Sequence, residues 1–253
     1  MAEKERAVLV LGMFDGVHVG HRTLVERAKH LAIALDASCT AYTFSNHPAE
    51  LIGKNVKLLC SAEEKEYLLR DCGADSVFME PFTEELMHMP PEAFIDMLLS
   101  GWDVQGLVAG FNFTFGDRGE GNADTLQELG KKKGFIVRIL PAVMIDGETV
   151  SSTGIRKKLD EGDVTGAARS LGRCYTLSGA AEPADGGIVR IRPDASIVIP
   201  GEGLYRTQIL TEGGTFEAMT KTYPADGFAE CMISGIGAVP DGADAMIVFR
   251  TAY

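Results

Sequence analysis

From Ala7 to about Leu140 the chain alternates short apolar runs with stretches of helical periodicity, and that alternation leaves few architectures open. Ala7-Val-Leu-Val-Leu11 is apolar at every position, as expected of a strand buried on both faces of a parallel sheet. A Gly-rich turn follows. From His21 to Leu35 the apolar residues Leu24, Ala28, Leu31 and Leu35 then recur three and four apart, which is one face of a helix. Ser38–Phe44 reads as the next strand, followed by a helix at Ala62–Cys72, a strand at Ser76–Met79 and a helix at Pro91–Ser100 entered through Pro90-Pro91. Gly106–Ala109, Ala123–Lys133 and Phe135–Leu140 continue the pattern as strand, helix and strand. Helical crossovers between parallel strands are right-handed and lead to a doubly wound sheet, with ligands at the carboxyl ends of its strands. The expected fold class is α/β, a Rossmann-like domain.

The texture changes further on. Asp146-Gly147 lies between two short extended segments and predicts a hairpin turn. Ser151-Ser152-Thr153 offers N-caps to a helix running through Leu159, and Asp163 caps a second helix to about Leu171. Beyond Tyr175, short alternating segments at Gly187–Arg192, Ala195–Ile199, Leu204–Leu210 and Ala245–Arg250 are separated by Gly, Pro and Asp, the pattern of a small β-rich domain. The expected domains are residues 1–173 and 174–253.

With 24 Lys and Arg against 36 Asp and Glu, the net charge of −12 argues against a broad nucleic-acid or anionic-membrane surface, so any anion must be gripped locally. Five scattered cysteines form no C-x-x-C pair and predict reduced thiols in the cytoplasm, with neither a zinc site nor a disulfide framework. No apolar stretch of about 20 residues predicts a membrane span, and the N-terminal segment lacks a cleavage-type pattern.

The chemistry concentrates in Gly12-Met13-Phe14-Asp15-Gly16-Val17-His18-Val19-Gly20-His21, between the first strand and the first helix. Glycines let backbone N–H groups approach a phosphate, and a helix N-terminus supplies partial positive charge. Two imidazoles three residues apart can donate to one phosphate group, which makes His18 and His21 candidates for stabilising a transition state. A tight turn with two solvent-facing histidines is the simpler alternative, but two of the chain's five histidines fall within these four residues, among three glycines.

The segment resembles the H-x-G-H signature of the nucleotidyltransferases, and more specifically the G-x-F-D-G-x-H-x-G-H opening of the prokaryotic FAD synthetases, a family that couples this module to riboflavin kinase. Three later segments extend the resemblance. Thr43-Phe44-Ser45-Asn46-His47-Pro48 is similar to the family's T-F-x-P-H-P element near the flavin, with Asn46 in place of a proline. Val108 to Gly121 resembles its V-G-x-N-F-x-F-G loop, in which Asn112 is the polar candidate for ligand contact and Phe113 and Phe115 are candidates for core packing. Ser151-Ser152-Thr153-Gly154-Ile155-Arg156 resembles its S-S-T-x-I-R motif, and Leu171-Gly172-Arg173-Cys174-Tyr175 resembles its join to the kinase domain.

The resemblance implies transfer of AMP from Mg-ATP to FMN, giving FAD and pyrophosphate. It casts His18, His21, Ser152, Thr153 and Arg156 in catalysis, and Gly12, Phe14, Asp15, Gly20, His47 and Asn112 in substrate binding, with no resident metal site. It also implies that residues 174–253 form a barrel-like remnant of the flavokinase domain. The family's P-T-A-N element is absent after Gly179, so kinase activity is expected to be lost. A bifunctional enzyme and a silent flavin- or nucleotide-binding regulator are the alternatives.

Overall fold

The structure is a computed structural model that describes residues 4–184, 188–233, 239 and 241–252. It forms two compact units, Met1–Val56 with Ala62–Met144, and Lys57–Ser61 with Ile145–Tyr253.

The first unit runs β1 (Arg6–Leu11), α1 (Val19–Ala34), β2 (Ser38–Phe44), α2 (Ala62–Asp71), β3 (Ser76–Glu80), α3 (Glu84–Met87), α4 (Pro91–Gly101), β4 (Asp103–Gly110), α5 (Ala123–Lys133) and β5 (Ile136–Leu140). Its five strands are all parallel in the order β3-β2-β1-β4-β5. Central β1 is apolar at every buried position because both of its faces are covered. Leu9 and Leu11 join Phe94, Ile95, Leu98, Leu126 and Leu129 of α4 and α5, while Val8 and Val10 join Leu24, Val25, Ala28, Leu68 and Leu69 of α1 and α2. This is the Rossmann-like, doubly wound sheet read from the sequence. Strand order reverses between β1 and β4, so the loops after those two strands flank the crevice where such sheets bind ligands.

Two boundaries differ from expectation for local reasons. Helix α1 begins at Val19, two residues earlier than its apolar periodicity, because His18 caps it: the His21 N–H donates to His18 Nδ1 at 3.3 Å. The short α3 was not expected at all. Thr83 Oγ1 caps it by accepting from Leu86 N–H, and four residues are too few to establish a period.

Asp146 and Gly147 both take positive φ, 51° and 83°. They turn a two-residue hairpin between β6 (Met144–Ile145) and β7 (Glu148–Thr149), as Asp-Gly does in this setting. The second unit continues with α6 (Ser152–Asp160), α7 (Val164–Leu171), β8 (Thr176–Ala184), β9 (Ile188–Arg192), β10 (Gly203–Thr211), β11 (Gly214–Tyr223), β12 (Phe228–Ile233) and β13 (Asp244–Ala252). These six strands close an antiparallel barrel in the order β10-β11-β12-β9-β8-β13.

Its core gathers Ile191, Ile209, Cys231, Ile247 and Phe249 from the strands with Ile155, Leu159, Val164, Ala167 and Leu171 from α6 and α7. By packing, those helices go with the barrel, whereas the sequence boundary at 173/174 set them apart from it. Leu58 and Leu59 belong to the same core. The backbone of Leu58 is bonded on both sides, donating to the Ser196 carbonyl at 2.6 Å and accepting from Val198 N–H at 2.9 Å.

Ala195–Ile199, expected as a strand, is irregular apart from a single bridge between Leu58 and Ile197. Its polar ends are met locally: Asp194 Oδ1 accepts from both the Ser196 N–H (2.7 Å) and hydroxyl (2.6 Å), and the Tyr175 hydroxyl donates to the Val198 carbonyl. Ile197 and Val198 are apolar because they enter the core from this loop. Gly187, which opened the expected strand Gly187–Arg192, lies outside the described residues.

Candidate active site

The loop from Gly12 to His18 leaves the carboxyl end of β1 through a cramped path. Phe14, Gly16 and Val17 all take positive φ, at 49°, 74° and 38°. That conformation is costly for phenylalanine and more so for a β-branched valine, so the surroundings must hold it. Phe14 and Val17 are buried in the core that faces α1 and α2. Gly12 N–H donates to the Tyr42 carbonyl at 3.3 Å and Thr43 Oγ1 donates to the Met13 carbonyl at 3.0 Å, tying the loop to the end of β2. A side chain at Gly12 would come within 3.0 Å of the Phe14 ring, and one at Gly20 within 3.1 Å of the His18 ring, so both glycines make room for aromatic neighbours. Asp15 is buried in the 15–17 turn.

His18 and His21 stack with ring centroids 3.6 Å apart and 15° between planes, and the Phe14 ring meets His21 edge-on at 5.2 Å. Because His18 Nδ1 accepts the helix-capping bond, its neutral ring carries the proton on Nε2. His21 Nδ1 is buried without a hydrogen-bond partner among the described residues, an arrangement that native proteins rarely tolerate outside functional sites. Burial, then the neighbouring His18 and then the positive charge of Lys65 hold His21 well below the ordinary histidine value, so both imidazole nitrogens are not protonated together near neutral pH.

Around the same edge of the sheet, His47 follows β2 and caps the short turn Pro48–Ile52, its Nδ1 accepting from Ala49 N–H at 3.1 Å. Asn46 clamps the loop through its side chain. Its side-chain amide donates to the Phe82 carbonyl at 3.2 Å and accepts from Phe82 N–H at 2.7 Å. Asn112 is exposed just past β4, on the other side of the reversal in strand order. Phe115 is buried in the core and Phe113 packs against it, while Phe111 is exposed. Gly12, Phe14, Asp15, His18, His47 and Asn112 therefore lie on loops that follow strands of the first unit, and Gly20 and His21 in the first turn of α1.

Ser152, Thr153 and Arg156 sit in the first turns of α6 in the second unit. Ser151 caps that helix, accepting from Gly154 N–H at 3.1 Å. Arg156 lies one turn in, and its guanidinium donates to the Lys57 carbonyl at 3.5 Å.

Lys65 was not singled out from the sequence. It is 1% exposed, and its Nζ donates to the Phe44 carbonyl at 2.7 Å. A usable sign was present: Lys65 lies three and four residues before Leu68 and Leu69, which puts it on the buried face of α2. Among the described residues no group of three or more His, Cys, Asp or Glu could hold a metal ion, and no helix is long and apolar enough to cross a membrane.

A 3-2-1-4-5 parallel sheet with a stacked histidine pair at its switch point defines a nucleotide-handling α/β enzyme of the nucleotidyltransferase class. A family model described as FAD synthetase matches residues 1–154, and the chain belongs to that family. It is 31% identical over 222 residues to a bifunctional riboflavin kinase/FMN adenylyltransferase of Listeria monocytogenes, covering 84% of this chain and 70% of that one. It is 30% identical over 210 residues to a protein of the same organism named FAD synthetase, covering 81% and 82%. A solved structure titled as a macrolide-efflux protein from Streptococcus pneumoniae superposes with a TM-score of 0.89 at 21% identity, covering all of this chain and 88% of that one, which establishes a shared fold.

Proposed function

We propose that the chain is a cytoplasmic FMN adenylyltransferase that makes FAD and pyrophosphate from Mg-ATP and FMN and does not phosphorylate riboflavin. The observation that carries this is the stacked His18–His21 pair, held by a strained loop at the carboxyl end of the central strand. Magnesium enters with ATP as part of the substrate. The FMN phosphate attacks the α-phosphorus and pyrophosphate departs. Both reactants already carry ionised oxygens, so the protein's work is alignment and neutralisation of charge. His18 and His21 donate to the transferring phosphate. Ser152, Thr153 and Arg156 receive the leaving pyrophosphate, helped by the positive end of α6. The loop at Gly12, Phe14, Asp15 and Gly20 shapes the nucleotide side, and His47 and Asn112 place the flavin. In this proposal residues 1–173 form the adenylyltransferase, with α6 as part of it, and 174–253 the remnant domain.

Two observations support the loss of kinase activity. No P-T-A-N sequence follows Gly179, and in Pro193-Asp194-Ala195-Ser196 the side chains of Asp194 and Ser196 bond to each other, so this segment offers no Thr/Asn pair for magnesium and phosphate. The chain also spans more of the Listeria relative named only FAD synthetase than of the bifunctional one. The test is chromatography of two reactions with Mg-ATP, one containing FMN and one riboflavin. FAD from FMN with no product from riboflavin is expected. FMN or FAD from riboflavin would reinstate the kinase, and no product from either, with folded protein, would overturn the assigned reaction.

A further inference from the structure

Helix α2 places an ammonium where stability alone would favour a methylene chain. Lys65 is essentially fully buried, on the same helix face as the core residues Leu68 and Leu69, and desolvating a charge costs several kcal/mol in practice. Its Nζ donates to the Phe44 carbonyl, the last of β2. The neighbouring Thr43 holds the Met13 carbonyl, and the Tyr42 carbonyl accepts from Gly12 N–H. The end of β2 thus bears directly on the loop that carries the histidines. Leu68 and Leu69 of α2 share a core cluster with Phe14 and Val17 of that loop.

We propose that Lys65 is a positioning residue for the phosphate-transfer site: its buried ammonium fixes the carboxyl end of β2 against the Gly12–His21 loop and supplies a fixed positive field to the histidine pair and the phosphates they receive. At His21 the positive charge of Lys65 adds to burial and the neighbouring His18, the larger causes, in holding the proton affinity down. Of the other charged groups on this loop and on the helices packed against it, Asp15 sits in the 15–17 turn, and Arg22 of α1 pairs with Asp71 of α2 at 3.8 Å. The charges of β1 and β4, Arg6 and Asp103, lie at the far, amino ends of those strands. The role in turnover rests on the assigned adenylyl transfer; the effect on His21 does not.

The test uses the full chain with Lys65→Met, which keeps length and apolar volume, and Lys65→Gln, which keeps a donor without charge. Nitrogen-15 NMR of the histidine rings, without substrates, reads the His21 titration midpoint, and steady-state kinetics read FAD formation. The expected result is folded variants whose His21 midpoint rises while burial and His18 still hold it below the ordinary value, with kcat down about tenfold at pH 7 and the KM for ATP little changed. Folded variants with a wild-type midpoint and kcat would overturn the proposal. So would failure of both variants to fold, since Lys65 would then be a structural residue only. A wild-type chain that makes no FAD would overturn the reaction but leave the titration result intact, so the two failures are distinguishable.

Discussion

The carboxyl edge of β1 and the interior of the barrel both bury polar groups, yet they treat them in opposite ways. In the barrel the groups satisfy one another. Thr207 and Thr220 share a hydroxyl pair at 2.7 Å, and Thr220 reaches Cys231 Sγ. Tyr205 and Thr222 both donate to the Gly201 carbonyl. Arg190 Nε is a buried atom without a hydrogen-bond partner among the described residues, but the same guanidinium holds Glu230 at 2.7 Å and lies 4.5 Å from the Phe228 ring centre. At the end of β1, by contrast, an imidazole nitrogen has no partner among the described residues, three of the four residues from Phe14 to Val17 take positive φ, and an ammonium is buried close by. Satisfied polar groups specify a fold, while an unsatisfied ring nitrogen beside strained backbone and a buried charge is the pattern of a site.

The contrast is sharpest in its largest expected effect. His21→Ala should lower FAD formation by about 10²–10³, roughly 3–4 kcal/mol in the barrier, while thermal unfolding stays close to wild type. Undiminished turnover in the folded variant would remove the histidine from the chemistry. The barrel should respond the other way. Thr220→Val removes a buried donor and should cost about 1–2 kcal/mol of stability with FAD formation unchanged, readable as a lowered melting temperature beside a normal rate. A rate loss there would break the division of labour.

The third expectation concerns acid. His21 binds protons less readily folded than unfolded, so the unfolded chain holds more protons as the pH drops. Its contribution to stability is complete above pH 6.5 and is lost as pH falls through the lower folded-state value. The urea midpoint should therefore fall between pH 7 and pH 5 by more in the wild type than in His21→Phe, and equal falls would contradict the burial of this ring. The smallest effect belongs to the exposed ion pair of Arg169 with Asp146, 3.0 Å apart. Arg169→Ala should change stability by no more than about 0.5 kcal/mol in denaturant titration.

The sheet was legible because burial on both faces demands uninterrupted apolar runs, and the expected bounds of β2 match the observed Ser38–Phe44. The barrel was less so, since its inward positions are small or polar. On β11 the buried residues are Ala218, Thr220 and Thr222, and on β12 they are Ala229 and Cys231, whereas Met232 faces outward at 61% exposure. Hydropathy alternation is blurred or inverted in such strands, and β8, β11 and β12 went unread. At the site, histidines and glycines announce themselves by type and spacing. The strained φ of Phe14 and Val17 and the burial of Lys65 do not, because both depend on what packs against the loop from α1 and α2.

The short detour of Lys57–Ser61 into the second unit has a consequence for dissecting the chain. Leu58 and Leu59 are core residues of the barrel unit, yet they are encoded almost ninety positions before its main segment begins at Ile145. A truncation that starts at Ile145 omits them, opening the core and leaving Ser196 and Val198 without their backbone partner. The barrel unit is thus no portable cassette. A gene fusion or an exchange of modules that is to keep this core intact must carry that five-residue stitch along.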